Sequence, residues 1–237
     1  MEKKYKLTEE TIKVNGSILH RIEALKDFAN IKKGDKGGFI EKEENLSQNG
    51  DCWVYHNAVV YGNAEVYDDA KVFEDARIYG KARVLDNARV FDYAKVYGDA
   101  AIYGDAKVYC NANVCGDAKV YCDAKVYGNA IVYDNAKVYE DAEVFGNAEV
   151  FGNAEIRGNA EIASNSDYIV FKNWWSSGRY FTWTKNNNMW KVGCFYGTSN
   201  ELIGKAYKDS ELSGREYEKI VKYVESILEV TMLTNLK

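Results

Sequence analysis

From residue 52 to residue 163 one six-residue pattern of apolar and polar positions repeats without insertion or loss. Its form is Ala-x-Val-aromatic-Gly-Asp/Asn, as in the stretch KVYGDA. The small position falls at Cys52, Ala58, Ala64 and every sixth residue to Ala160, nineteen copies in all. The residue two places later is Val or Ile in each copy. Residues two apart point to the same side of a strand, so these face inward, and the residue between them and the aromatic face outward. The Gly-Asp or Gly-Asn pair then turns a corner, because Gly, Asn and Asp tolerate positive φ. Three such sides close a triangular coil of eighteen residues. Coils stack by parallel hydrogen bonding about 4.8 Å apart, so the nineteen copies predict about six coils and a prism about 30 Å long.

The flanks read differently. Strand-like runs around Thr11 to Val14 and Ile18 to Leu25 flank the turn signal Asn15-Gly16. Gly34, Gly37 and Gly38 then break the chain. Carried backwards, the hexad register puts Leu46 and Ile40 in the small position, with Gln48 and Lys42 in the aliphatic one, as degenerate first rungs. An open solenoid end exposes unpaired strand groups, so residues 1–51 are expected to form a cap. After Ala163 three aromatic-rich strands are expected at Tyr168 to Lys172, Tyr180 to Thr184 and Met189 to Phe195. Thr198 with Glu201, and Ser213 with Glu216, fit capping boxes that open two helices. Tyr217, Ile220, Val221, Val224, Ile227 and Leu228 form one apolar face of the second. The domain reading is a cap over 1–51, a β-helix over 52–163 and a small α+β domain over 164–237.

The repeat resembles the hexapeptide family of left-handed parallel β-helices. Left-handedness is implied by that resemblance; the spacing alone also allows a right-handed solenoid such as a bactofilin. The leader ALKDF…IKKGDKGGFIEKEENLSQNGDCWVY and the tail GCFYGTSNEL are more closely similar to hexapeptide-repeat proteins of phages and prophages. The resemblance implies a mainly β protein, a left-handed parallel β-helix with an N-terminal cap and a small C-terminal α+β domain, commonly assembled as a trimer. Acyltransferases are the best-known enzymes of this type, and they use a His at a subunit boundary as general base beside loops that shape an acceptor pocket. Here the two His are His20 in the leader and His56 in a corner slot. The unbroken hexad count leaves no loop inside the array. The expected function is therefore a non-enzymatic trimeric scaffold of phage or prophage origin, contacting a partner through its C-terminal domain or its aromatic faces. The alternative is an acyl-CoA-dependent acyl- or acetyltransferase with His56 as its base.

Composition narrows this further. The net charge of −5 points to no general affinity for nucleic acid or membrane. Pro is absent, which suits a backbone whose N–H groups enter a ladder. The five Cys are an odd set, and Cys110, Cys115 and Cys122 occupy ordinary repeat positions, which favours free thiols in a reducing compartment. Cys194 precedes a helix start, where a thiolate or an anion is stabilised, but no base is visible beside it. MEKKYKLTEETIK lacks the apolar core of a secretory signal, and no run of about 18 apolar residues is present to span a bilayer, so the cytoplasm of a bacterial host is expected. No metal or cofactor motif is present, and none is expected.

Outward residues eighteen apart form columns. On the first face Lys71, Arg89, Lys107 and Lys125 climb beside Phe73, Phe91, Tyr109 and Tyr127, an arrangement that suits a short acidic ligand. Corner carboxylates such as Asp69, Asp105 and Asp123 are placed to screen those cations. On the second face Val59, Asn113 and Ile131 relieve the column of charge beside Tyr61, Tyr79, Tyr97 and Tyr133. That face is the expected contact between copies of the chain, through Val59, Tyr61, Tyr79, Tyr97, Ile131 and Tyr133.

Overall fold

The structure is a computed structural model that describes residues 2–175 and 177–234, with side chains through residue 228. It divides into two compact units, Met1–Tyr168 and Ile169–Lys237. The first is built on a hairpin, β1 (Tyr5–Val14) and β2 (Ser17–Ala24), and a short strand β3 (Lys36–Ile40). Nineteen two-residue strands follow, β4 to β22, from Trp53–Val54 to Glu161–Ile162. They stack in three parallel sheets, with partners eighteen residues apart, as in Lys71↔Arg89 and Arg89↔Lys107. The first stack holds seven of these strands, β4 to β22, and the second and third hold six each. This is a parallel β-solenoid.

Every inward Ala and Val or Ile of the array, from Ala58 to Ile162, is at most 1 % exposed. The small residue leaves room for the corner, and the aliphatic one fills the axis. Nineteen consecutive corner residues, every sixth from Gly50 to Gly158, have positive φ between 51° and 75°. Nine are not glycine: His56, Asp68, Glu74, Asp86, Asp92, Cys110, Cys122, Asp134 and Glu140. The left-handed backbone is therefore imposed by the coil and not by glycine alone.

The outward strand residues donate their N–H groups to carbonyls seventeen residues later, as in Lys71 to Ala88 at 3.0 Å and Phe73 to Val90 at 2.9 Å. Carbonyls of the Ala, Val and corner positions thus face the N-terminal end, and the leader supplies donors to them. Phe39 and Glu41 N–H reach Ala58 and Val60, and Ser47 N–H reaches Val66. Asn45 Nδ2 donates to Gly62 and Ala64 carbonyls at 3.1 and 2.8 Å. The buried Lys4 ammonium donates to Gly50 and Cys52 carbonyls at 3.1 and 3.0 Å. At the other end Asn165 Oδ1 accepts from Glu149 N–H, and Asp167 Oδ2 accepts from Ala163 and Ser164 N–H. Donors close one end and acceptors the other.

The first rungs depart from the register expected of them. Ile40 pairs with Val60 and Leu46 with Val66, so both stand in the aliphatic position and not the small one. The partners are twenty residues apart there, because the entering chain takes two extra residues. β3 also lengthens the stack, giving about seven turns instead of six. Gly37 and Gly38 lie within β3 and do not break it. A Cβ on Gly37 would lie 2.5 Å from Val54 O, and one on Gly38 2.5 Å from Ala58 O, so glycine permits the close approach.

The second unit holds a four-stranded sheet, β23 (Tyr168–Lys172), β24 (Tyr180–Thr184), β25 (Met189–Val192) and β26 (Phe195–Gly197). The run expected as one strand to Phe195 is two, because Gly193 at φ 56° turns the chain and Val192 pairs with Phe195. α1 (Ser199–Asp209) opens on the Thr198–Glu201 capping box. α2 (Glu211–Thr234) begins two residues before Ser213. The Ser210 hydroxyl accepts Ser213 N–H at 3.1 Å and does the work assigned to Ser213 itself. Phe181, Trp183, Trp190, Val192, Leu202, Val221 and Val224 form the core.

Candidate functional site

On the first face the rings form a ladder. Tyr55–Phe73, Phe91–Tyr109, Tyr109–Tyr127 and Tyr127–Phe145 stack at 4.6, 4.8, 4.9 and 5.2 Å, and only Phe73–Phe91 meets edge-on at 6.4 Å. Lys71, Arg89, Lys107 and Lys125 pair in register beside them. Arg89, Lys107 and Lys125 line a groove of about 490 Å³ together with Asp105, Asp123, Asp141 and Glu143. Three cations therefore share it with four carboxylates. At the upper end Lys125 Nζ donates to Glu143 Oε1 at 2.7 Å and Tyr127 OH to Glu143 Oε2 at 2.8 Å. The lysine beside it holds the Glu143 carboxyl below the usual carboxylate range. A groove with this balance has little pull on a polyanion, since adjacent carboxylates cancel the cations at short range.

The second face is a ring column with one break. Tyr61–Tyr79 and Tyr79–Tyr97 stack at 5.2 and 4.9 Å, Cys115 interrupts, and Tyr133–Phe151 stack at 5.3 Å. The Cys115 thiol beside it, together with burial, pushes the Tyr97 phenol up to about 12. Val59 and Tyr61 are not available as contact residues for another copy. They are 5 % and 7 % exposed, packed with Leu19 and Phe39 beneath the β1–β2 hairpin. Asn15 Nδ2 donates to Tyr61 OH at 3.0 Å. The sequence shows a hairpin but not where it lies, so this covering was missed. Tyr97, Ile131 and Tyr133, with Phe151, remain on the open part of the strip. The third face stacks Tyr103–Tyr121 and Tyr121–Tyr139 at 4.8 Å each, ending under the Arg157 guanidinium, 5.4 Å from the Tyr139 ring centre.

His56 stands at a convex corner, its side chain 57 % exposed and its Nδ1 3.6 Å from Glu74 Oε2 one coil above. Its own carbonyl accepts from Arg21 Nη1 at 3.2 Å. His20 is held inside the hairpin, Nδ1 3.0 Å from Thr8 O. All five thiols are free. Cys110 and Cys122 sit in left-handed corners, and Cys52 is buried 3.3 Å from Lys4 Nζ. Among the described residues no group of three His, Cys, Asp or Glu is arranged to hold a metal ion, and no helix is long and apolar enough to cross a membrane.

A family model described as the YdcK beta solenoid repeat matches residues 124–140. A curated relative, "Uncharacterized acetyltransferase YdcK" of Escherichia coli (strain K12), is 36% identical over 66 residues. The match covers 24% of this chain and 20% of the relative, so the chain spans about a fifth of the length of the protein it matches. Both likenesses agree with a hexapeptide-type β-solenoid.

Proposed function

We propose that the chain is a non-enzymatic scaffold in which the solenoid is a rigid spacer and the exposed aromatic faces or the C-terminal α+β unit contact a partner. The uninterrupted run of nineteen left-handed corners carries this reading. No insertion between Gly50 and Gly158 builds a wall around any side chain, and His56 projects from a convex edge. A general base works within hydrogen-bond reach of a held substrate, which a convex corner does not provide. Assembly as a trimer through the open part of the second face, around Tyr97, Ile131 and Tyr133, belongs to the same proposal. So does residence in a bacterial cytoplasm. The phage or prophage origin rests on the leader and tail alone, while the matched relative comes from Escherichia coli.

The second reading is an acyl- or acetyltransferase, favoured by the relative's printed name. Calorimetric titration with acetyl-CoA and turnover assays on wild type and His56→Ala separate the two. The scaffold reading expects no saturable acetyl-CoA binding; saturable binding with turnover lost in His56→Ala overturns it. Light scattering tests the assembly, and a monomer at micromolar concentration removes the trimer.

A further inference from the structure

Within the second unit a cavity of about 240 Å³ opens between β25, β26, α1 and α2. Its apolar wall is Val192, Leu202, Ala206 and Phe195, and its charged rim carries Arg179, Lys205 and Asp209. Two cations against one carboxylate leave the lining with one net positive charge. Neither Arg179 nor Lys205 makes an ion pair among the described residues. The cations of α2, by contrast, are paired, with Arg215–Glu211, Lys219–Glu216 and Lys222–Glu218 at 2.9, 2.7 and 2.7 Å.

Each cation packs against a neighbour. The Arg179 stem lies across Gly193, where a Cβ would stand 3.1 Å from Arg179 Cδ. Lys205 Nζ lies 5.7 Å from the Phe195 ring centre, a cation–π distance. The Phe195 ring in turn lies over Gly197, where a Cβ would be 2.7 Å from Phe195 Cζ. The lining thus sets a small apolar wall against a charged rim, the arrangement an amphipathic small molecule fits.

We infer that this cavity binds a small amphipathic monoanion, a carboxylate on a compact apolar body. The carboxylate lies between Arg179 and Lys205, and the apolar body lies against Val192, Leu202 and Phe195. A carboxylate suits the guanidinium fork, and one negative charge matches the net charge of the lining. The volume accommodates a phenyl or branched alkyl group and excludes a nucleotide. This site is independent of the solenoid faces and of His56.

The test is calorimetry and saturation-transfer NMR on the full chain with benzoate and isovalerate as probes. Benzamide, neutral and nearly isosteric, and inorganic phosphate, which has no apolar body, are the comparators. Benzoate is expected to saturate with a Kd of about 1 mM, the level its few heavy atoms allow. Isovalerate should compete with it, and benzamide and phosphate should bind at least about tenfold more weakly. Arg179→Gln and Lys205→Gln are each expected to weaken benzoate about tenfold, while Lys208→Gln, off the lining, leaves it unchanged. Both cations are exposed, so neither change threatens the fold. The inference is overturned if benzamide or phosphate matches benzoate, or if the double Arg179→Gln, Lys205→Gln variant binds as wild type does. Failure to saturate at about twenty times the expected Kd has the same consequence.

Discussion

Asp86 reaches up one coil and accepts the backbone N–H of Gly104 at 2.9 Å. The same bond runs from Cys110 N–H to Asp92 at 2.9 Å, from Gly152 to Asp134 at 3.2 Å and from Gly158 to Glu140 at 3.0 Å. The corner N–H is the donor that the parallel ladder leaves out. A carboxylate one coil below satisfies it, which gives an acidic residue a reason to occupy a left-handed position that otherwise favours glycine.

Two substitutions at Asp86 separate the bond from the strain. Asp86→Ala keeps a Cβ at φ 55° and loses the bond, and is expected to cost about 1–2 kcal/mol. Asp86→Gly loses the bond but relieves the backbone, and should fall within about 0.5 kcal/mol of wild type. Urea melts with unchanged slope read both. Equal losses in the two variants would show that strain plays no part.

Lys4 closes the N-terminal end. The residue is 1 % exposed and its ammonium satisfies carbonyls of the first coil, so Lys4→Met strands them and is expected to destabilise by about 3 kcal/mol. Burial lowers the Lys4 pKa, so between that lowered value and the ordinary 10.5 the unfolded chain binds more protons than the folded one. Stability from this group therefore rises with pH across that interval. Melts of wild type and Lys4→Met from neutral pH to about pH 10 should show the rise in wild type only. Parallel curves would mean that the folded chain holds the Lys4 proton as tightly as the unfolded one.

Much of this was legible in the sequence, because one hexad fixes which residues face inward and repeats often enough to fix the register. Val72 and Val90 need no tertiary information to be placed in the core. What escaped depends on chain paths that carry no period. The two extra residues that move Ile40 into the aliphatic position are one case. The hairpin lying over Tyr61 is another, as is the descent of Lys4 under Cys52. Ring columns were predictable from the spacing of eighteen, and so was the change of sign from Lys125 to Glu143; the 2.7 Å contact by which Glu143 neutralises Lys125 was not.

Glu143 carries an acid-side prediction. Its pKa is lowered chiefly by Lys125 and further by the Tyr127 hydroxyl, so its contribution is complete above the ordinary carboxylate value of 4.5. That contribution is lost as pH falls through the lowered pKa. Partial exposure limits it to about 0.5–1 kcal/mol. Glu143→Gln should melt lower than wild type at neutral pH, and the difference should close as the pH falls through the lowered Glu143 pKa. A difference that persists into acid would assign the loss to packing and not to charge.

The tyrosine ladders make the opposite prediction in alkali. Tyr97 is pushed up to about 12 by the Cys115 thiol beside it and by burial, and Tyr127 to about 12 by burial and by the Glu143 carboxylate. Tyr121 and Tyr139 are raised too, chiefly by burial in the third column. An unfolded chain releases these protons near 10, whereas the folded chain holds them, so stability is whole below 10 and falls as pH rises toward 12. This loss opposes the gain from Lys4 and should exceed it, because among the described residues several phenols are raised and a single amine is lowered. Tyrosinate absorbance and circular dichroism followed together from pH 9 to 12 are expected to show late, cooperative ionisation that coincides with loss of β structure. Tyr97→Phe and Tyr127→Phe should each flatten the decline. Ionisation near pH 10 with the β signal intact would mean that the stacked rings are solvated and hold nothing in place.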